Sequence, residues 1–220
     1  MWLQRGQGLG IIGPSGAGKS TLARALVGVW PHFRGKVRLD NASLEHWSSD
    51  SLGKYLGYLP QDIELFDGSI AANSARFDVK ATAAGVLEAS KAAGAHDVIL
   101  SLPDAYSTRI GEGGMALSAG QKQRIGLARA LYGSPLLVVL DEQTSNLDAD
   151  GEVALTEAIL NVRLRGGIVV VVAHRPKALE GVDHVLVVGE GRMQSFGPKD
   201  TVLRKVLRSP LRVVAEDQKA

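Results

Sequence analysis

The chain has no cysteine, which excludes disulfides and thiolate metal sites and fits a reducing compartment. It also lacks any long hydrophobic run. The longest, "LLVVL" and "IVVVVA", fall far short of the roughly 20 residues that a membrane span needs, so these residues are expected not to cross a bilayer. "MWLQRGQGLGIIG" at the start has neither the long apolar segment nor the cleavage site of a signal peptide. Charge of one sign is scarce as well: 25 Lys and Arg stand against 23 Asp and Glu, a net +2. The basic residues are scattered except near the C-terminus, at Arg204, Lys205, Arg208 and Arg212. That grouping reads as a solvated helix face, and no nucleic-acid partner is expected. Internal repeats, low-complexity tracts and long linkers are absent too.

What is present suits one domain with a full core, or a core with a subdomain: 220 residues, 45% hydrophobic and 22% charged. Short β-branched runs alternate with helical patterns, the signature of an α/β fold with a largely parallel sheet. The predicted strands are "LGIIG", "KVRLD", "YLGYLP", "LLVVLD", "IVVVVAH", "HVLVVG" and "RMQSF". Between Gln61 and Tyr132 the pattern becomes Ala-rich with helical spacing, as in "AAGVLEASKAAGAHDVILSL". This predicts a core of residues 1–62 and 133–210, a helical subdomain inserted over 63–132, and a frayed tail over 211–220.

"GLGIIGPSGAGKSTLARAL" reads as a buried strand, a loop spaced G-x-x-x-x-G-K-S, and a helix. Gly13, Gly16 and Gly18 let backbone amides turn inward onto phosphate oxygens at a helix start, where anions are favoured. Lys19 would reach the β- and γ-phosphates, and Ser20 offers its hydroxyl to Mg²⁺. The segment Gly13, Pro14, Ser15, Gly16, Ala17, Gly18, Lys19, Ser20 and Thr21 is therefore assigned to a nucleotide, ATP. In "LLVVLDEQTSNLD" a buried strand ends in Asp141, whose carboxylate would join the Mg²⁺ shell. Glu142 points elsewhere and could polarise an attacking water as general base. Taken alone, Asp-Glu after a strand could also merely cap the next helix. His174, closing "IVVVVAH", and Gln61, after "YLGYLP", are uninformative singly. "LSAGQKQR", Leu117 to Arg124, raises a question: it is a second Ser/Gly-framed helix start, whose plain reading is a serine N-cap.

Together these residues resemble the nucleotide-binding domain of ATP-binding-cassette transporters over essentially the whole chain. The order matches: phosphate loop at Gly13 to Ser20, Q-loop glutamine Gln61, signature "LSAGQ" from Leu117, Mg²⁺ aspartate Asp141, catalytic glutamate Glu142, D-loop "SNLD" from Ser145 to Asp148, and switch histidine His174. The resemblance implies a P-loop ATPase fold with a RecA-like sheet and an inserted helical subdomain. It implies catalytic roles for Glu142, His174 and Gln61, and Mg²⁺ held by Ser20, Gln61 and Asp141. ATP would be held by the phosphate loop together with Ser118, Gly120, Gln121 and Asp148. In the family the signature reads the ATP held by a partner's phosphate loop, so the resemblance also implies a head-to-tail, ATP-dependent homodimer. That answers why one chain carries two helix starts.

"LFDGSIAANSARF" and "ILSLPDAYSTRIGEGG" are similar to exporter cassettes, with Glu112 in the segment that touches transmembrane coupling helices. "LARALYGSPLLVVLDEQTSNLD", "VVVAHRPKAL" and "QSFGPKDTVL" look most like the ATPases of bacterial type I secretion, the protease and lipase branch. The expectation is ATP hydrolysis driving export of a protein or peptide at the cytoplasmic face of a bacterial inner membrane. Its partners would be a transmembrane domain and, at the level of the system, a periplasmic adaptor and an outer-membrane channel. Power would pass through Gln61 and the segment from Arg109 to Gly114. The alternatives are a lipid or drug exporter cassette, or a soluble ATPase of translation or DNA repair. The latter pair two cassettes in one chain or insert a long coiled coil, and neither occurs here. A non-hydrolysing regulatory cassette is disfavoured by the presence of Lys19, Asp141, Glu142 and His174 together.

The resemblance has gaps. Family cassettes carry an adenine-stacking aromatic some twenty residues upstream of the first strand, and the chain starts after that position, as it does after the transmembrane half. The expectation is either a truncated chain or one that holds adenine loosely, and a cassette that is detached from its transmembrane half or separately encoded. Trp2 aligns with a later apolar strand position and is not a substitute. Ala119 replaces the signature's second glycine, at a cost of about 1 kcal/mol if that position needs a positive φ. Gln143 replaces the proline that usually follows the catalytic glutamate, a mild change in loop stiffness.

Overall fold

Every one of the strongly apolar runs becomes a strand in the computed structural model, which describes residues 1–30, 35–111, 117–141, 149–173 and 176–208. In chain order the strands are β1 (Gly8–Ile12), β2 (Arg38–Leu39), β3 (Ala42–Ser43), β4 (Leu56–Leu59), β5 (Gly68–Ser69), β6 (Arg109–Ile110), β7 (Leu137–Asp141), β8 (Ile168–Val172), β9 (His184–Gly189) and β10 (Arg192–Pro198). The helices are α1 (Lys19–Leu26), α2 (Ser49–Tyr55), α3 (Ile70–Ser74), α4 (Ala83–Ala92), α5 (His96–Leu100), α6 (Ala119–Leu131), α7 (Ala149–Leu164) and α8 (Lys199–Arg208).

Six strands form one sheet in the order β10-β9-β1-β8-β7-β4. All neighbours run parallel except β10, which closes the edge antiparallel to β9. Central parallel strands are covered on both faces, so their sequences read as unbroken apolar runs rather than alternating ones. β7 is buried at all five positions. Side-chain alternation then divides the core in two. Leu137, Val139, Val170 and Val172 face α1 with Leu9, Ile11 and Ala23. Val138, Leu140, Val169 and Val171 face the other way, onto Leu155, Ile159 and Val162 of α7 and Ile125 of α6. "KVRLD" is a strand but stands outside this sheet: β2 and β3 make a small hairpin whose turn, Asp40 and Asn41, has φ of 47° and 66°. Two consecutive positive φ values match the right-handed twist of a two-residue hairpin, and Asp and Asn tolerate them best.

The segment read as helical holds α3 to α6 and also a short β5–β6 pairing, Gly68 with Ile110 and Ser69 with Arg109, too brief to show a periodicity. It is not a separate core. Ile70, Ile99 and Ile110 belong to the same hydrophobic cluster as Val138 and Val169 of the sheet. Two polar side chains secure the junction. Asn73, fully buried, accepts from Phe66 N at 2.9 Å and donates to Phe66 O at 2.9 Å and Ser69 O at 3.1 Å. Arg76, in the left-handed region at φ 57°, donates to four carbonyls: Arg129 O at 2.7 Å, Ala130 O at 2.8 Å, Gly53 O at 2.7 Å and Leu56 O at 2.9 Å. It ties the last turn of α6 to α2 and the start of β4.

Candidate nucleotide site

β1 ends at Ile12 and the chain turns at once into α1 through Gly13 to Gly18. Two of these glycines are required by what surrounds them. A Cβ on Gly13 would lie 2.0 Å from Val188 O, inside any permissible contact. Gly18 is the N-cap of α1 at φ 95°, a left-handed conformation that costs a residue with a side chain on the order of 1 kcal/mol. Gly18 offers α1 no side-chain cap, and a helix start without one is where an anion is favoured. Lys19 is buried, and its Nζ donates to Gly13 O at 3.0 Å and Pro14 O at 2.8 Å, drawn across the loop it follows.

Ser20 and Asp141 meet although 121 residues separate them: Ser20 Oγ donates to Asp141 Oδ1 at 3.1 Å. The sheet causes this. Asp141 closes β7, and its register with Val172 of β8 puts it at the same carboxyl edge from which β1 delivers the phosphate loop. Asp141 is fully buried. A hydroxyl beside a carboxylate is a hard-oxygen donor set, which suits Mg²⁺ completed by phosphate oxygens and water. Among the described residues no group of three His, Cys, Asp or Glu that could hold a metal ion is found. Gln61 follows β4 and Pro60; because Leu59 pairs with Leu140, it emerges exposed at this same edge.

The second helix start is a complete capping box. Ser118 Oγ accepts from Gln121 N at 3.2 Å, and Gln121 Oε1 accepts from Ser118 N at 2.9 Å. Ser118 is exposed, Gly120 lies in the first turn, and the described hydrogen bonds of Ser118 stay within its own helix. The hydroxyl still has a proton to give to an external acceptor. Ala119 is the first residue of α6 and is not among the positive-φ residues. The strain conditional on a positive φ therefore does not arise, since an α-helical start suits alanine. Trp2 is 76% exposed and lies ahead of β1, outside the described strands rather than on one.

Glu142, Gln143, Asp148 and His174 lie outside the described residues, as do Glu112 and the 211–220 tail. The strands that lead to Glu142 and His174, β7 and β8, are adjacent and parallel, next to β1. Sequence reasoning missed Tyr58, whose phenol feels Asp141, and Arg24, which acts on that phenol. Burial pushes the Tyr58 phenol above its ordinary value, the Asp141 carboxylate pushes it further, and the Arg24 guanidinium opposes them. A tyrosine within a strand carries no signal by itself; only the register places it here.

Comparison with known proteins gives the family. Residues 1–145 match the family model described as ABC transporter. The type I secretion system ATP-binding protein PrsD of Rhizobium meliloti is 60% identical over 99% of this chain. ATP-binding cassette sub-family B member 6 of Rattus norvegicus is 37% identical over 91% of it. A solved structure, of a bacterial Atm1-family ABC exporter with ATP bound, superposes with a TM-score of 0.83 over 91% of the chain at 36% identity. The chain spans 39% of the length of the first relative, 24% of the second and 35% of the exporter chain. With a phosphate loop, a strand-end aspartate on its serine and a capped signature helix in one α/β sheet, and with these matches, the chain belongs to the ABC transporter family.

Proposed function

We propose that the chain binds and hydrolyses ATP with Mg²⁺ as the nucleotide-binding domain of a type I secretion exporter, two copies pairing head to tail. The observation that carries this reading is the contact of Ser20 with the buried Asp141 beside Lys19, in a chain that also presents an exposed, capped start of α6. The amides of the phosphate loop and Lys19 bind the β- and γ-phosphates. Ser20 and Asp141, with Gln61 at the same edge, would hold Mg²⁺, which neutralises phosphate charge when bound. Glu142 takes the proton of the attacking water, and His174 and Gln61 orient the γ-phosphate side. Ser118, Gly120 and Gln121, with Asp148, complete the site of the partner copy. ATP then joins the pair and hydrolysis releases it.

Export of a protein or peptide is supported by the 60% match to a secretion protein, since at 37% the matches already include the sub-family B protein. A transmembrane domain would dock near Gln61, where a groove of about 430 Å³ runs between Tyr58, Pro60, Glu64, Phe66, Arg76 and Arg129. On this reading the cassette works at the cytoplasmic face of an inner membrane, in a system that includes a periplasmic adaptor and an outer-membrane channel.

The test uses Lys19→Ala, which removes a charge-assisted phosphate contact worth ~1.5–3 kcal/mol, or roughly 10- to 150-fold in affinity, and Ser118→Arg, which obstructs the signature. Each homodimer has two damaged sites. In the mixed dimer both defects fall in one site and the other is intact, so mixing restores ATP-dependent pairing and hydrolysis above the sum of the separate proteins. If labelled mutants do neither while the wild type does both, the shared-site reading is wrong.

A further inference from the structure

We propose that Tyr58, braced by Arg24, is a positioning residue for Asp141, its phenol donating to the carboxylate and holding it in the orientation from which it shares a divalent cation with Ser20. The proposal rests on the assignment of Asp141 to the cation made above.

Two independent pieces of geometry bring these side chains together. In the β4–β7 ladder Tyr58 pairs with Val139, so both project from one face of the sheet. Asp141, two residues beyond Val139, projects from that face as well. It is the face that α1 covers, and half-buried Tyr58 packs there against the cluster containing Leu56, Leu137 and Val139. On α1, Ser20 and Arg24 are four residues apart and share one stripe of the helix. Since Ser20 touches Asp141, Arg24 lies one turn further along the same seam, level with the preceding pleat, where Tyr58 sits. The guanidinium also lies over the Trp30 ring, 6.0 Å from its centroid. The influence of both Asp141 and Arg24 on the phenol agrees with this placement.

The chemistry gives the arrangement its purpose. A fully buried carboxylate needs donors, and Ser20 supplies one. Ser20 can bind a cation through a lone pair while its proton stays directed at Asp141 Oδ1, and a further donor would restrain rotation of the carboxylate about that contact. A phenol carried on a strand rather than a loop supplies such a donor, and Arg24 in turn fixes the phenol. Groups of this kind, touching a metal ligand and not the metal, set ligand orientation and metal affinity.

Tyr58→Phe removes one oxygen and leaves the ring packing. The measurement is binding of a non-hydrolysable ATP analogue, by calorimetry, in EDTA and across a Mn²⁺ titration, with the Mn²⁺ signal followed by electron paramagnetic resonance. The Mn²⁺ concentration for half-maximal binding should rise about 10- to 100-fold, while affinity in EDTA stays within about twofold. A midpoint within about twofold of wild type overturns the proposal, and so does an equal loss of affinity in EDTA, which would mark a merely structural role. Arg24→Met, at an exposed position, should shift the midpoint in the same direction by a smaller factor. It decides the matter if Tyr58→Phe fails to fold, because an unmoved midpoint then refutes the brace and with it the proposal. A wild type whose analogue binding ignores Mn²⁺ would remove the metal assignment itself; a wild type that responds, with an unchanged Tyr58→Phe, removes only the role of Tyr58.

Discussion

Arg76→Ala should be among the most damaging single substitutions outside the phosphate loop, and its magnitude can be worked from the hydrogen bonds. The guanidinium makes four contacts of 2.7–2.9 Å, two of them to carbonyls in the last turn of α6, where the helix dipole favours a cation. A hydrogen bond to a charged group contributes about 1.5–3 kcal/mol, but four bonds from one planar group share the desolvation of that group and do not add. That burial is substantial: it lowers the Arg76 pKa, with the neighbouring Arg129 charge acting in the same direction. Four carbonyls left without their donor, one of them exposed to water, put the cost at ~3–5 kcal/mol. For a chain of 220 residues, at about 2–4 °C per kcal/mol, Tm should fall by ~6–20 °C.

The backbone offers an internal control. Arg76 sits at φ 57°, so alanine keeps the left-handed strain that glycine relieves, and Arg76→Gly should be more stable than Arg76→Ala by about 1 kcal/mol. Arg76→Lys keeps the charge but cannot fork to four carbonyls and should fall between wild type and alanine. Urea and thermal denaturation followed by circular dichroism measure all three. A cost under about 1 kcal/mol for Arg76→Ala would refute the clamp.

Glu142→Gln should lower the ATP turnover rate by ~10²–10⁴-fold and leave ATP bound, because the amide keeps the shape and loses the proton acceptor; a variant keeping more than half the wild-type rate rejects the assignment. Ala119→Gly, which restores the usual signature residue, should bring no gain in stability and lose up to about 1 kcal/mol, since position 119 is helical. Stabilisation on urea denaturation would show that a positive φ is needed there after all.

Much of this protein was legible in its sequence because the determining interactions are local. A run such as "IVVVV" can only be a strand covered on both sides, and a serine three residues before a glutamine caps a helix whatever surrounds it. In the phosphate loop the need for glycine at position 18 is local too, a left-handed N-cap, whereas Gly13 is required by Val188 O of a distant strand. The placement of "KVRLD" was not legible, because a strand pattern does not say which sheet it joins, and the β5–β6 pair is shorter than any period. Nor was Arg76: a lone arginine becomes a clamp only when the C-terminus of α6 and the start of β4 arrive on either side of it. Tyr58 is the same case at the site. Its residue type suits any half-buried strand, and only the parallel register of β4 on β7, with α1 laid over that face, sets a phenol beside the carboxylate that Ser20 holds.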